Sequence, residues 1–338
     1  MDTNLEIQYG YPLTGGARER LYHFLARHGL DYEGGVDFTV NLLENGEIVA
    51  TGSLAGDTVR YVAVSWTHQS RGLAATIISE VINYAATVGR HHLFLFTHPR
   101  NRRIFTSLGF YEVASTDKAL LLENRLDGLK SYVDSLARPQ GETVGCIFAD
   151  CNPFTNGHLF LIETAAKESD WVHVFILPGA FGELPTEIRR QMAVEGTKHL
   201  NNVVVQPTSP YLIPPHAFPD YFIEEKEQSD IINCALDLTL FAERIAKPLG
   251  ITRRYLGKEP HCRVSAAYNR ERHRLLPDYG IVVAEVPRLA HKGGPISGGR
   301  VRRLYEQGKT AELAELVPAS TLNLLTRLDK EEEIFAVL

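Results

Sequence analysis

An unbroken apolar run, Val144 to Ala149, gives way to Asn152-Pro153-Phe154-Thr155-Asn156-Gly157-His158, and this in turn to a run with helical spacing, Leu159 to Ala166. A short apolar stretch closed by turn formers and resumed at a 3.6-residue period reads as strand, turn, helix. That order constrains the fold, because a strand feeding directly into a helix is the repeating unit of parallel α/β sheets. It constrains the chemistry as well. A helix start presents four unpaired backbone N–H groups and the positive end of the helix dipole, which together suit an anion. Gly157 admits close approach of a ligand to the backbone. His158 carries a ring N–H that can meet a phosphate oxygen whose charge grows during reaction. A histidine near a helix start also serves as a cap or as packing, so the motif alone leaves both readings open.

A second segment narrows the choice. In Pro295-Ile296-Ser297-Gly298-Gly299-Arg300-Val301-Arg302, Ser297 is placed to cap a helix, Gly298 and Gly299 expose backbone N–H groups, and Arg300 and Arg302 add positive charge near the helix start. On its own this is a capped surface helix. Together and in this order, the two segments resemble the T/H-x-G-H and I-S-S-T-x-[IV]-R signatures of enzymes that transfer adenylyl or cytidylyl groups. There are two departures. Thr155 stands where histidine is frequent, and Gly299 stands where a hydroxyl residue is common, which leaves only a backbone N–H at that point.

The chain of 338 residues is long enough for two domains, and its 44% hydrophobic and 22% charged residues are ordinary for a globular protein. Residues 1–124 are expected to form one α+β domain. Its strands are expected near Phe38–Leu42, Glu47–Leu54, Val59–Val64, His92–Phe96, Tyr111–Val113 and Ala119–Leu122, with helices at Gly72–Val88 and Arg100–Ser107. Within it, Gln69-Ser70-Arg71-Gly72-Leu73-Ala74 fits Q/R-x-x-G-x-G/A, and Leu108-Gly109-Phe110 resembles the closing L-G-F of the GNAT acetyltransferases. In that family the loop wraps a coenzyme A pyrophosphate ahead of a helix, so Gln69, Arg71, Gly72 and Ala74 are candidates for such contacts. Phe105 stands where those enzymes often place an acidic tyrosine, and Val59–Ser65 carries no carboxylate base. The expectation is a retained fold that binds or docks rather than an active acetyltransferase.

A linker over 125–142 contains helical spacing from Arg125 to Leu136 and ends at Pro139 and Gly141. From 143 to 338, apolar strands at Thr143–Ala149, Val172–Leu177, Val203–Val205, Arg254–Leu256 and Ile281–Val286 alternate with helices at Gly157–Glu168, Thr186–His199, Asp230–Ala246 and Gly299–Gln307, followed by a helical tail from Ala311. This predicts a Rossmann-like α/β domain whose parallel sheet is covered on both faces and binds ligands at the carboxyl ends of its strands.

The net charge of −6 hides an uneven distribution, since twelve Lys and Arg stand against four Asp and Glu between Arg253 and Arg303. A basic segment beside a phosphate motif suits a polyanionic ligand, or is a solvated, salt-paired surface. Nucleic acid is not expected as a partner, because the whole chain is acidic and no aromatic-basic RNA signature appears. No apolar stretch is long enough for a membrane span and no signal peptide is evident, so a cytoplasmic location without membrane association is expected. Cys146, Cys151, Cys234 and Cys262 lack metal-ligand spacing and read as free thiols. Cys151, close to the first motif, reads as a small packing residue before it reads as a nucleophile.

Beyond the two motifs, Val144-Gly145-Cys146-Ile147, Phe218-Pro219, Tyr221-Phe222-Ile223, Asp237-Leu238, Gly257-Lys258-Glu259-Pro260 and Cys262-Arg263-Val264 extend the likeness over nearly the full chain. The chain resembles the citrate lyase ligase family. That resemblance implies an enzyme that turns ATP and acetate into acetyl-AMP and pyrophosphate. The acetyl group is then passed to the thiol prosthetic group of the citrate lyase acyl carrier subunit. It implies catalytic roles for Thr155, His158 and Arg302, and ATP contacts for Asn152, Phe154, Gly157, Arg189, Gly257, Glu259, Ser297, Gly298, Gly299 and Arg300. Mg²⁺ is expected on the triphosphate, held by phosphates and water with no dedicated protein metal site. The alternatives left open are a nucleotide-cofactor adenylyltransferase and a non-catalytic protein that senses nucleotide or coenzyme A.

Overall fold

A computed structural model of the chain describes residues 5–179, 184–258 and 263–337. The chain divides into two compact units. One comprises Met1–Gly128 with Phe218–Leu240, the other Leu129–Ala217 with Phe241–Leu338. The expected boundaries differ from this in two respects: residues 129–142 of the expected linker belong to the second unit, and the segment 218–240 packs with the first unit instead of continuing a single 143–338 domain. Tyr221 shows why. Its ring lies 4.7 Å from that of Tyr61, and its hydroxyl donates to the carbonyl of Phe96 at 3.0 Å.

The first unit is built on a seven-stranded sheet of β1 (Glu6–Gly10), β2 (Phe38–Glu44), β3 (Glu47–Ala55), β4 (Thr58–Val64), β5 (Phe94–Thr97), β6 (Tyr111–Ser115) and β7 (Leu120–Glu123), in the order β1-β2-β3-β4-β5-β7-β6. All pairs are antiparallel except β4 with β5, which pair at only two positions, Thr58 with Phe94 and Val59 with Leu95. The helix Leu73–Thr87 covers the sheet with Leu73, Ile77, Ile78, Val81 and Ala85. Gly52 permits this approach, since a Cβ there would stand 2.4 Å from Ile77 Cγ2. Phe105 is buried in the same core, edge-on to Phe110. The strand β1 and the helix Gly15–Arg27, which buries Leu21, Phe24 and Leu25, were not expected from the sequence.

In the second unit β8 (Val144–Ala149), β9 (Trp171–Ile176), β10 (Val203–Val205), β11 (Arg253–Gly257) and β12 (Val282–Val286) form the expected all-parallel sheet, in the order β10-β9-β8-β11-β12. The chain therefore starts in the middle, builds outward on one side, and returns to build on the other. The strand order reverses between β8 and β11, the switch point beyond whose carboxyl ends open α/β sheets bind their ligands. The helix expected over Asp230–Ala246 is α-helical from Ser229 to Leu240 and becomes a π-helical turn at Phe241–Ala246. The helix Arg263–Leu275 is an addition. Among the described residues no helix is long and apolar enough to cross a membrane.

Candidate active site

The segment after β8 enters the helix Asn156–Glu168 through a reciprocal cap. The Thr155 hydroxyl accepts from the backbone N–H of His158 at 3.3 Å, and the backbone N–H of Thr155 donates to His158 Nδ1 at 3.1 Å. This is a capping box with histidine in the place of the usual Glu or Gln. It has a chemical consequence. Because Nδ1 accepts, the neutral ring carries its proton on Nε2, and Nε2 has no hydrogen-bond partner among the described residues. Packing around the ring pushes the imidazole down to about 4, with the positive charge of Arg288 as the smaller cause. Near neutral pH His158 is therefore an uncharged donor held in one tautomer.

The second helix start is built in the same way. Ser297 caps Gly298–Glu306, its hydroxyl accepting from the N–H of Arg300 at 3.2 Å. The two starts lie against each other. A Cβ on Gly157 would stand 3.2 Å from the carbonyl oxygen of Ile296, and one on Gly298 would stand 2.7 Å from that of Asn152. Arg302 closes the seam by donating through NH1 to the same Asn152 carbonyl at 2.5 Å. Two helix N-termini, separate in sequence, thus share one junction beside the carboxyl end of β8. Their dipoles and unpaired N–H groups add at one place.

Several residues expected to contact ATP are engaged by other parts of the protein. Arg189 is 0% exposed, and its three nitrogens donate to Leu184 O, Asp150 O and the Thr186 hydroxyl. It fastens the loop after β8 to the start of the helix Thr186–Thr197. Phe154 is likewise 0% exposed, packed where Gly196 leaves room for its ring, and it stacks behind the His158 ring at 5.9 Å. Arg300 reaches back to the carbonyl of His291 at 2.9 Å, in the ribbon β13 (Ala290–His291) and β14 (Gly294–Pro295). Gly157 is small because Ile296 lies against it, so close approach there is made by protein. Asn152 is buried with Oδ1 unpaired, which leaves an acceptor at the junction. Gly299 has open space around it, the nearest atom being Arg302 NH2 at 3.9 Å. Gly257 ends β11 at the same sheet edge. Glu259 and Cys262 lie outside the described residues.

Arg288 belongs to this site and was missed. It follows β12, donates through Nε to the carbonyl of Lys258 at 3.2 Å, and acts electrostatically on His158. A cation just beyond the carboxyl end of a predicted strand is the signal that pointed to it. Cys151 is buried at φ +49, and burial pushes its thiol up, with the charge of Asp150 as a smaller cause. It stays protonated, which suits packing and not nucleophilic attack. In the first unit, Gln69, Gly72 and Ala74 lie on the loop and first turn of the helix Leu73–Thr87, and Arg71 is paired with Glu44 at 3.1 Å. Among the described residues no cluster of three or more His, Cys, Asp or Glu is placed to hold a metal ion.

Comparison with known proteins agrees with this architecture. Residues 144–325 match the family model of the citrate lyase ligase C-terminal domain, and residues 6–112 match that of the GNAT acetyltransferases. A [citrate [pro-3S]-lyase] ligase of Klebsiella pneumoniae is 35% identical over 93% of this chain and 94% of its own length. One from Escherichia coli is 36% identical over 90% and 89% respectively. A phosphopantetheine adenylyltransferase of Streptococcus pneumoniae is 38% identical over only 19% of this chain, so the adenylyltransferase alternative is not favoured. The GNAT-like first unit, the parallel-sheet second unit with its paired helix starts, and relatives that match over nine-tenths of the sequence together show that the chain is an enzyme of the citrate lyase ligase family.

Proposed function

We propose that the enzyme activates acetate with ATP and delivers the acetyl group to the thiol prosthetic group of the citrate lyase acyl carrier subunit. The observation that carries this reading is the junction of two capped helix starts at the switch point, with a neutral histidine aimed from it through Nε2. In the first step a carboxylate oxygen of acetate attacks the α-phosphorus and forms a P–O bond. The bond to the β-phosphate bridging oxygen breaks, and pyrophosphate leaves with the electron pair. Nothing here requires a covalent enzyme intermediate. The work is positioning and stabilisation of charge on the phosphate oxygens. His158 Nε2–H and the N–H groups of Gly298 and Gly299 are assigned to that charge, with Arg288 and Arg302 supporting it. In the second step the carrier thiolate attacks the acetyl carbonyl and AMP leaves.

Mg²⁺ is proposed to ride on the triphosphate. The junction offers mainly N–H groups and guanidinium, with Asn152 Oδ1 beside them, which suits phosphate oxygens and a cation carried on them. The loop at Gln69, Arg71, Gly72 and Ala74 is proposed as a binding element. Phe105, sealed in the core, offers no acid for acetyl transfer. ATP–pyrophosphate exchange that depends on acetate tests the reading. Exchange without a carboxylate requirement, or none at all, overturns it.

A further inference from the structure

Side chains alternate across a strand, and Ile147, Val172, Val174 and Tyr255 join the core that includes Ile162 and Ala165 of the helix Asn156–Glu168. Cys146, Phe148, His173, Phe175 and Arg254 therefore take the other face. The ladder sets His173, Cys146 and Arg254 in one row across β9, β8 and β11. Arg254 is an anomaly in that row. It is 4% exposed, and it forms no hydrogen bond or ion pair with any described residue. Its guanidinium carbon lies 4.3 Å from the ring centroid of Phe148 and 4.7 Å from that of Phe241, whose rings meet at 89°. Two perpendicular phenyl rings form a corner that fixes the cation and offers no acceptor. NH1 alone of its nitrogens is sealed from solvent.

A buried guanidinium without an anion is costly, and the aromatic faces offset only part of that cost. The position of the group says what completes it. Phe148 is the penultimate residue of β8, two residues before Asp150 opens the loop to Thr155. The Arg254 head thus reaches the carboxyl end of β8 from β11, on the two strands that flank the switch point. Around it the surroundings are apolar, with Phe175 stacked on Phe148 at 4.8 Å. The matching ligand carries one carboxylate for the planar N–H fork and a small apolar remainder for the rings.

We propose that Arg254 anchors the carboxylate of the acid that the enzyme activates, in the corner of Phe148 and Phe241. One carboxylate oxygen stays on the guanidinium while the other attacks phosphorus. The ring corner limits the remainder to a few carbons. This inference rests on the reading under Proposed function and extends it to the acid site.

The test uses the full chain and measures ATP–pyrophosphate exchange over a range of acetate concentrations. Wild type comes first, and exchange that needs no carboxylate overturns both the proposed function and this site. Given a carboxylate-dependent wild type, R254M removes the charge with little change in volume and R254K removes the fork but keeps the charge. Loss of a hydrogen-bonded charge pair should raise the half-saturating acetate concentration of R254M on the order of tenfold to a hundredfold. R254K should show a smaller rise. Half-saturating ATP, and acetyl transfer from supplied acetyl-AMP, which has no carboxylate, should stay within about threefold. An unchanged acetate requirement in either folded variant overturns the assignment while leaving the proposed function standing, as does an equal rise for ATP and acetate. If neither variant folds, saturation-transfer NMR on wild type decides. Irradiating the aromatic protons should pass saturation to the acetate methyl, and no transfer with acetate-dependent exchange intact overturns the site.

Discussion

The backbone N–H of Thr155 donates to Nδ1 of His158 at 3.1 Å, so a capping interaction that shapes a helix also decides which nitrogen of the catalytic candidate bears the proton. The same bond fixes the ring orientation, leaving Nε2–H as the free donor. Long-range ¹H–¹⁵N NMR of the imidazole should show the Nε2–H tautomer at pH 7, with no titration between pH 6 and 8, because the group is held down to about 4. An Nδ1–H tautomer, or a midpoint near the ordinary 6.5, would contradict this picture.

Gly298 and Gly299 adjoin in sequence and differ in surroundings, which makes them a controlled pair. A methyl on Gly298 meets the Asn152 carbonyl at 2.7 Å, a backbone atom that cannot swing away, whereas a methyl on Gly299 meets nothing closer than 3.9 Å. Gly298→Ala should push the two helix starts apart and cut ATP–pyrophosphate exchange at least tenfold. Gly299→Ala keeps its N–H and should retain exchange within about twofold. Equal effects of the two substitutions would mean that the junction is not what matters.

Arg189→Met leaves the part-buried carbonyls of Leu184 and Asp150 without the donors that the buried guanidinium supplies. Breaking such a network from one side costs about 3 kcal/mol or more. The melting temperature should fall by several degrees, and the loss of exchange should track the loss of folded protein. A melting temperature like wild type combined with a specific rise in half-saturating ATP would restore Arg189 as a direct ATP ligand.

Acid should destabilise the protein through His158 and a second histidine. His173 is fully buried and held down to about 4 by burial, with Nδ1 accepting from Gln206 Nε2 at 2.7 Å. Both folded-state values lie below the ordinary 6.5, so the unfolded chain binds protons more readily. Stability contributed by the neutral rings is fully present above about pH 6.5 and is lost as pH falls toward 4. In thermal melts from pH 7 to 4.5, His173→Gln should have a shallower decline than wild type. Parallel declines would show that His173 titrates normally.

How much of this was legible follows from how local each signal is. Four of the five strands of the second unit announce themselves as apolar runs, β11 opening instead on Arg253 and Arg254, and Val203–Val205 is found where it was expected. The two helix starts were legible because a cap is written in neighbouring residues. The helix Arg263–Leu275 was not legible, because arginine, histidine and glutamate crowd its second half and obscure its few apolar positions. The edge strand Glu6–Gly10 mixes Glu6, Gln8 and Gly10 among its few residues and went unseen for a similar reason. At the site, the protein contacts of Arg189 and Phe154 were not legible in the motif. Whether a side chain faces a ligand or the core depends on what other elements bring, here Asp150, Thr186 and Gly196. The packing of 218–240 with the first unit depends on Tyr61 and Phe96, more than a hundred residues away, and no local pattern encodes it.

The most direct measurement compares wild type and His158→Ala in the two half-reactions. Acetate-dependent ATP–pyrophosphate exchange reads the attack on the α-phosphorus, and transfer from supplied acetyl-AMP to the carrier thiol reads the step after it. Removing one preorganised donor from a developing oxyanion costs about 3 kcal/mol, roughly a hundredfold in rate. Exchange by His158→Ala should fall by that order, with transfer from acetyl-AMP and thermal stability largely preserved. Equal loss in both half-reactions with folding intact, or no loss in either, would contradict the claim that His158 and its helix junction serve adenylylation.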